Sequence, residues 1–479
     1  MISLYTNEPA FASELLDEVK LFFPKESFVL LTDPQKADIR HELRICGSEM
    51  KNTVWFRDLT QINFFRFTSE EEIYRKRMKK RYAKLAMFSC LQKFFGKTPP
   101  WGALTGIRPT KLAWEITESG EDFEKIFREF YHVSDEKIAL TKRILRQQES
   151  LHSAEEQAAD LYLGIPFCVS RCSFCSFSGG EIGKLEKWVE PYLTCLEKEV
   201  VETLDLIHRE GYRLKTIYIG GGTPTSLSDS DFERVLKLLK GVPSLEFTVE
   251  AGRPDTITKE KLDLMKAYGV NRISINPQTF CQATLDRIGR KHGVEEIYSA
   301  FELATHYPFA VNADLIAGLP SETTEEFCYG IEEICKISPD NVTIHSLALK
   351  RGSALKESGQ REEEEKVARM ITYAHHRLSE SGYEPYYLYR QKYMSANMEN
   401  VGFCKEGKQC RYNIDHMEEI SNIFACGSGA ISKRIFPNQN RIERTPDAKD
   451  VIYYVTHINE MTERKKELFG KKQENTENT

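Results

Sequence analysis

Short apolar runs alternate with longer stretches of helical periodicity through the middle of this chain of 479 residues. The apolar runs predict six strands, at 160–165, 214–219, 245–249, 272–276, 311–316 and 342–347. Amphipathic patterns predict the helices between them, at 184–210, 230–239, 259–268, 293–306 and 324–336. Because strands that alternate with helices run parallel, we expect an α/β fold built on a partial (β/α)6 barrel over residues 158–395.

The two ends of the chain have different patterns. Residues 1–150 start with a strand and a helix over 1–23, followed by helices at 71–95 and 109–117, which predicts a separate N-terminal α/β domain. A charged helix over 134–159 is predicted to join this domain to the barrel. After a helix at 362–380 and a tyrosine-rich strand at 384–390, we expect a mainly helical C-terminal extension at 396–465. The polar tail at 466–479 is predicted to be disordered.

Composition narrows the class of protein. A hydrophobic fraction of 41% suffices for real cores, and a net charge of -6 does not indicate a nucleic-acid binder. The basic run at 74–82 has apolar residues at near-helical spacing (Ile73, Met78, Tyr82 and Leu85), which favours one face of a packed helix. We find no pattern typical of a signal peptide or a membrane span, and therefore expect a cytoplasmic protein.

Three cysteines follow the first barrel strand in the spacing Cys-x3-Cys-x2-Cys, namely Cys168, Cys172 and Cys175. Thiolates are soft ligands suited to iron, and three of them in one loop predict a 4Fe-4S cluster whose fourth iron is open to a small molecule. A structural zinc site would require a fourth cysteine or histidine at matching spacing, which this loop lacks.

A run of glycines, 220–222, ends the next strand and is followed by Thr223. Glycine has no Cβ, so a ligand could approach the backbone and hydrogen-bond to its N–H and C=O groups. No Gly-Lys-Ser/Thr follows, which disfavours a nucleoside triphosphate site.

Together these two segments resemble the radical S-adenosylmethionine (SAM) superfamily. The runs at 164–168, 220–225, 314–320 and 427–432 are similar to the oxygen-independent coproporphyrinogen III oxidase family. The segments at 100–110, 386–392 and 399–402 resemble its HemZ branch, often named coproporphyrinogen dehydrogenase. The resemblance implies a radical SAM barrel that binds a 4Fe-4S cluster and SAM.

The resemblance also implies roles for individual residues. Tyr162 and Phe174 would flank the cluster and SAM, and Glu250 would bond to SAM, although salt-bridged strand ends are an alternative for Glu250 and Asp314. Further SAM contacts would come from Gly221, Gly222, Thr223, Gln278, Arg290, Asp314, Ala348 and Ile431.

The implied reaction is oxidative decarboxylation of two propionates of coproporphyrinogen III to vinyl groups, giving protoporphyrinogen IX in haem biosynthesis, with a flavodoxin- or ferredoxin-type electron donor. Phe177 stands where the oxidase branch has a fourth cysteine, which resembles the haem-chaperone relatives and leaves haem trafficking as the alternative. We expect no nucleic-acid partner. The candidates for contacts to substrate carboxylates and ring are Arg108, Arg253, Lys350, Arg351, Arg390, Lys392, Tyr386, Tyr387 and Tyr389, and for haem iron His345, His375, His376 and His416.

Overall fold

The computed structural model describes residues 1–24, 26–105, 108–177, 179–348, 353–355, 363–390, 398–439 and 441–470. The chain divides into two compact units, Met1–Lys142 and Arg143–Thr479. No helix among the described residues is long and apolar enough to cross a membrane.

The first unit is an α/β domain with a sheet in the order β2-β1-β3-β4-β5. Its strands are β1 Ile2–Thr6, β2 Phe28–Leu30, β3 Ile39–Cys46, β4 Glu49–Phe56 and β5 Leu59–Arg66. Its helices are Ala12–Phe22, Glu72–Phe95, Pro109–Glu118 and Phe123–Glu129, and a further helix, Asp135–Gln148, crosses into the second unit. Side chains along β5 alternate between half-buried and exposed positions, and apolar residues occur at both. The sequence therefore lacks the regular alternation that predicts a strand, and this strand was not predicted.

Two features of this part of the chain bear on the predictions. In the basic helix Glu72–Phe95, Tyr82 stacks on Phe65 with ring centroids 4.0 Å apart, which supports a helix packed on its own sheet. The helix predicted over 134–159 is wrong in its second half, because the helix ends at Gln148 and residues from Ala158 onward form a strand. Ala158 and Ala159 are fully buried in the central sheet, so tertiary packing outweighs their helical propensity.

The second unit has an eleven-stranded sheet within the described part of the chain. Its first strands are β6 Ala158–Ile165, β9 Arg213–Gly221, β10 Glu246–Val249, β11 Arg272–Ser274, β12 Ala310–Ala317 and β13 Asn341–Ser346. These six are neighbours and all pair in parallel, which confirms the predicted partial barrel. The short strands β7 Phe167–Cys168 and β8 Gly180–Glu181 pair with each other.

Helices connect the barrel strands and cover the sheet. They are Ile182–Arg209, Asp229–Lys237, Lys259–Ala267, Gln282–Arg287, Val294–Ala304, Thr324–Ile337 and Glu364–Glu380. Since all six barrel strands run parallel, the loops that follow them gather at one edge of the sheet.

Both edges of the barrel sheet carry further strands. On one side β15 Asn400–Cys404 and β14 Glu384–Tyr389 continue antiparallel from β13. On the other side β16 Asn422–Cys426 pairs in parallel with β6 and is followed by β17 Ile431–Phe436 and β18 Arg441–Pro446. The C-terminal extension therefore holds strands as well as the helices Arg411–Glu418, Val451–Thr456 and Ile458–Phe469.

The disorder predicted from residue 466 is wrong for residues 466–469, which complete the helix Ile458–Phe469. Phe469 is 1% exposed and stacks on Phe424 with ring centroids 3.8 Å apart. One turn earlier, the fully buried Lys465 donates to Glu199 at 2.6 Å. A polar sequence thus forms an anchored helix because a few apolar positions and one buried ion pair hold it; residues 471–479 lie outside the described residues.

Candidate cluster and cofactor site

A cavity of about 410 Å³ lies at the edge where the barrel strands end. Its walls come from the loops that follow β6, β9, β10, β11 and β13 and from the strand β12 itself. The residues predicted for the cluster and the cofactor that line it are Cys168, Cys172, Cys175, Phe174, Gly221, Gly222, Thr223, Glu250, Gln278, Arg290, Asp314 and Ala348.

The three cysteines are half-buried in a loop that the rest of the barrel holds in place. The Cys175 N–H donates to the Cys172 carbonyl at 3.1 Å, and the Ser173 N–H donates to the carbonyl of Ile288 at 2.9 Å. Burial raises the pKa of the Cys168 thiol to about 11, and the other two cysteine sulfurs act in the same direction, so all three are neighbours. Bound iron favours the thiolate form that burial opposes.

The donor set fits a cluster better than a single ion. Among the described residues, no three His, Cys, Asp or Glu side chains converge on one point as ligands of a single ion would. In a four-iron cluster each thiolate binds a different iron, so three separated cysteines are what the cluster requires.

The glycine run packs directly against the cysteine loop. A Cβ on Gly222 would lie 2.5 Å from the Phe167 carbonyl oxygen and 2.9 Å from the Cys168 sulfur, and Gly221 has φ +105°. The Gly222 and Thr223 N–H groups donate to the carbonyls of Ile165 and Phe167, both at 2.7 Å. The glycines are therefore required by the close approach of two backbones, in addition to any contact with a ligand.

Two carboxyl groups, those of Glu250 and Asp314, also line the cavity. Burial, reinforced by the charge of Asp314, raises the pKa of Glu250 to about 7. Asp314 Oδ2 lies 3.5 Å from His345 Nε2, and His345 Nδ1 lies 3.2 Å from the Tyr389 hydroxyl. Among the residues the structure describes, neither carboxylate has an ion pair with Lys or Arg, and a protonated His345 would form one with Asp314. The interpretation as a salt-bridged strand end therefore stays an alternative for Asp314.

Three buried polar atoms in the cavity wall lack a hydrogen-bond partner, namely Asn276 Oδ1, Gln278 Oε1 and Arg290 Nε. Gln278 has φ +69° and is fixed by its own backbone, since its N–H donates to Asp314 and its carbonyl accepts from Ile316. Unpaired buried groups are costly, and the amino, carboxylate and hydroxyl groups of SAM are suitable partners for them. The cavity therefore fits this cofactor.

Comparison with known proteins agrees with this geometry. The radical SAM superfamily model matches residues 162–332. The oxygen-independent coproporphyrinogen-III oxidase-like protein HemZ of Bacillus subtilis is 37% identical over 391 residues, which is 78% of this chain and 78% of that protein. This chain belongs to the HemZ family. As a radical SAM family, it uses a 4Fe-4S cluster and SAM.

Other relatives of this HemZ-family chain include proteins with a different role. The heme chaperone HemW of B. subtilis is 30% identical over 280 residues, covering 56% of this chain and 69% of that protein. Among solved structures, the coproporphyrinogen III oxidase HemN of Escherichia coli matches with a TM-score of 0.52 at 23% identity, over 66% of this chain and 72% of that one. That match supports the fold.

Two of the residues predicted to bind SAM do not line the cavity of this HemZ-family chain. Tyr162 stacks on Tyr218 and Tyr412 inside the barrel, with centroids 6.2 Å and 6.4 Å away. Ile431 begins β17 and is 44% exposed. The contacts of both with SAM stay predictions from the resemblance.

The predicted carboxylate-binding residues are dispersed. Arg253 lines the cavity, but its guanidinium is bound to Asp255 and Ser170. Arg108 lies in the first unit, Arg390 is buried after β14, and Lys350, Arg351 and Lys392 lie outside the described residues. Of the tyrosines, Tyr389 lines the cavity, whereas Tyr386 and Tyr387 are buried in the core.

The candidate haem ligands are also dispersed. His345 lines the cavity with both ring nitrogens near partners, Asp314 and Tyr389. His375 packs on Phe403, His376 has a side chain that is 74% exposed, and His416 stacks on Tyr412. The geometry does not bring these histidines together.

Sequence reasoning missed several residues of the cavity wall. Asn276 is the last residue of the predicted strand 272–276 and Gly252 lies three residues after the predicted strand 245–249, so their position at a strand end was an available signal. Asn400 and Met417 come from the C-terminal extension, where no local pattern pointed to the site. The other missed residues are Ser170, Arg171, Ser176, Phe177, Gly179, Gly180, Ile316, Ser346 and Leu347.

Proposed function

We propose that this chain is a radical SAM enzyme that decarboxylates two propionate side chains of coproporphyrinogen III to vinyl groups, without oxygen, in haem biosynthesis. The observation that carries the proposal is the extent of similarity. The match to the oxidase-like relative covers 78% of this chain, whereas the match to the heme chaperone of the same organism covers 56%. Sequence outside the radical SAM core, residues 162–332, is therefore shared with the oxidase-like protein.

The reaction balances for each propionate as follows. One hydrogen atom leaves the carbon β to the carboxylate, the bond to the carboxyl carbon breaks, carbon dioxide departs, and one electron goes to an external acceptor. Cys168, Cys172 and Cys175 would hold the cluster, which together with SAM would supply the group that takes up the hydrogen atom, with a flavodoxin- or ferredoxin-type donor as the source of the electron. One SAM is consumed for each vinyl group formed.

In this proposal, the residues that line the cavity bind SAM, orient it and shield the site from water. Gln278 and Asn276 offer unpaired amide oxygens to the hydrogen-bond donors of SAM, and the carboxyl groups of Glu250 and Asp314 face its positive charge. Apolar side chains in the wall, among them Leu347, exclude water, which protects a reactive radical from side reactions.

Haem trafficking is the second candidate function, and the similarity to the heme chaperone HemW favours it. The absence of a fourth cysteine at Phe177 is consistent with either function. Of the four candidate haem ligands, His345 alone lines the described cavity, and its two nitrogens lie 3.5 Å from Asp314 and 3.2 Å from Tyr389. Axial ligation of iron there would require one of these contacts to break.

The test is an anaerobic reaction of the reconstituted full chain with SAM, dithionite and coproporphyrinogen III, with mass analysis of porphyrins and 5′-deoxyadenosine. We expect loss of two carboxyl groups per porphyrinogen and two molecules of deoxyadenosine per product. Cys172→Ala is the control that should form neither. Deoxyadenosine without a change in the porphyrin would contradict the decarboxylase proposal. Tight haem binding with a shifted Soret band and no turnover would favour trafficking.

A further inference from the structure

Two buried arginines lie beside the cysteine loop and line the same cavity. Arg253 follows β10 and is 3% exposed, and Arg290 follows the helix Gln282–Arg287 and is 6% exposed. Asp255, whose side chain is 19% exposed, pairs with Arg253. Burying two guanidinium groups beside one carboxylate is unfavourable unless another negative group is near.

The contacts of Arg253 bind it to the loop itself. Its Nη1 donates to Ser170 Oγ at 2.8 Å, while Nε and Nη2 donate to the two oxygens of Asp255, both at 3.0 Å. Ser170 Oγ in turn donates to the carbonyl of Gly289 at 2.9 Å. The segment that carries Arg290 is therefore held against the cysteine loop from two sides, since Ile288 also accepts from Ser173.

Arg290 is less completely paired. Its Nη1 donates to the carbonyl of Asn276, but its Nε has no partner among the described groups. Arg290 and Cys172 line the same cavity, and the hydrogen bonds to the carbonyls of Ile288 and Gly289 hold the segment of Arg290 against the cysteine loop. The thiolate of a cluster ligand is thus a negative group near this guanidinium.

We propose that Arg253 and Arg290 are positioning residues that raise the reduction potential of the 4Fe-4S cluster. A cluster held by three thiolates gains one more negative charge when it accepts an electron from an external donor, and no bond is made or broken. Positive charge that is buried beside it is poorly screened and stabilises the reduced state. Partners of the ligating sulfurs tune a metal centre in the same way.

This inference concerns the cluster and holds whichever tetrapyrrole the chain acts on. The family resemblance implies instead that Arg290 contacts SAM. The two roles are separated by measuring the cluster before SAM is added, because a residue that acts only through SAM has no effect then.

The experiment is a redox titration of the reconstituted full chain without SAM, followed by the electron paramagnetic resonance signal of the reduced cluster. For Arg290→Gln we expect a roughly tenfold lower ratio of reduced to oxidised cluster at a fixed potential, equivalent to a midpoint about 59 mV more negative. Arg287→Gln is the matched control: it removes the same charge three residues earlier, from an exposed side chain, and should leave the midpoint unchanged.

For Asp255→Asn we expect the midpoint potential of the cluster to shift in the opposite direction. Removing the carboxylate adds net positive charge to the same buried pair, so the midpoint should become more positive. A general loosening of the loop would not shift the two variants in opposite directions. Unchanged midpoints in both variants, or shifts of the same sign, would overturn the inference. If Arg290→Gln fails to hold iron, the sign of the Asp255→Asn shift decides.

Discussion

The two walls of the cavity carry opposite charge. The cluster wall consists of Cys168, Cys172, Cys175, Arg253 and Arg290, and the acid wall consists of Glu250, Asp314, His345 and Tyr389. On the cluster wall there are two buried arginines, and one of them, Arg253, is hydrogen-bonded to Ser170 of the cysteine loop. On the acid wall, two carboxyl groups lie close together with no Lys or Arg partner among the described residues. One cavity therefore holds two electrostatic environments.

The glycine run separates these environments with backbone alone. A Cβ on Gly220 would lie 2.9 Å from Glu250 Oε2, and one on Gly222 would lie 2.9 Å from the sulfur of Cys168. Gly220 therefore lies against the acid wall, and Gly222, two residues later, lies against the cluster wall. The proposals made above would place electron uptake on the cationic side of the site and the positively charged groups of SAM on the anionic side.

The largest effect should come from removing a ligand of the cluster wall. Cys172→Ala leaves two thiolates, too few to hold the cluster, so we expect loss of bound iron and of the broad absorbance near about 400 nm. Cys46→Ala is the matched control, because Cys46 is exposed in the first unit and should have no effect. Full iron content in Cys172→Ala would refute the assignment of the cluster wall.

An intermediate effect should follow from adding a side chain to the glycine run that lies between the two walls. In Gly222→Ala the new methyl group meets a backbone oxygen at 2.5 Å, which neither strand can easily move. We expect the free energy of unfolding to fall by about 1 to 3 kcal/mol and less iron to be incorporated on reconstitution. Gly183→Ala is the control, because its Cβ would meet nothing within 4 Å. Equal denaturation curves for the two variants would count against the close contact.

The sequence predicted the barrel and much of the cluster wall for physical reasons. Strands of a parallel sheet are buried on both faces, so β6, β9 and β12 contain short apolar runs interrupted by only a few polar residues. The cysteine spacing and the glycine run are local signals, and they mark loops at the ends of adjacent strands. Such features need no knowledge of tertiary contacts.

The remaining features depend on contacts between distant residues. The strand β5 has one exposed face, and its mixed polarity hid it from pattern analysis. Met417 reaches the cavity from a C-terminal helix, and no spacing in the sequence connects it to Cys168. The pairing of Arg253 with Asp255 and Ser170 could not be distinguished beforehand from a free, carboxylate-binding arginine. The prediction of the site was therefore limited more by ion pairs and hydrogen bonds that the sequence does not reveal than by errors in the predicted fold.

The smallest effect concerns the ionisation of the acid wall. The pKa of Glu250 is raised from 4.5 to about 7, chiefly by burial. Between these pH values the folded state holds a proton that the unfolded state has lost, so stability falls as pH rises and the full cost is present above about pH 7. Glu250→Gln removes this cost. Without cofactors, we expect it to raise the free energy of unfolding at pH 8 and to raise it by much less at pH 5.

The same substitution should weaken SAM binding, because the amide has no charge to attract the positive groups of SAM. For the wild-type protein, calorimetry should find SAM affinity increasing from pH 6 to pH 8, and for Glu250→Gln it should find little change. Glu322→Gln is the matched control, since burial raises the pKa of Glu322 to about 8 but Glu322 does not line the cavity. It should also stabilise the protein at high pH while leaving SAM affinity intact. Equal loss of affinity in both variants would show that the acid wall has no specific role in binding the cofactor.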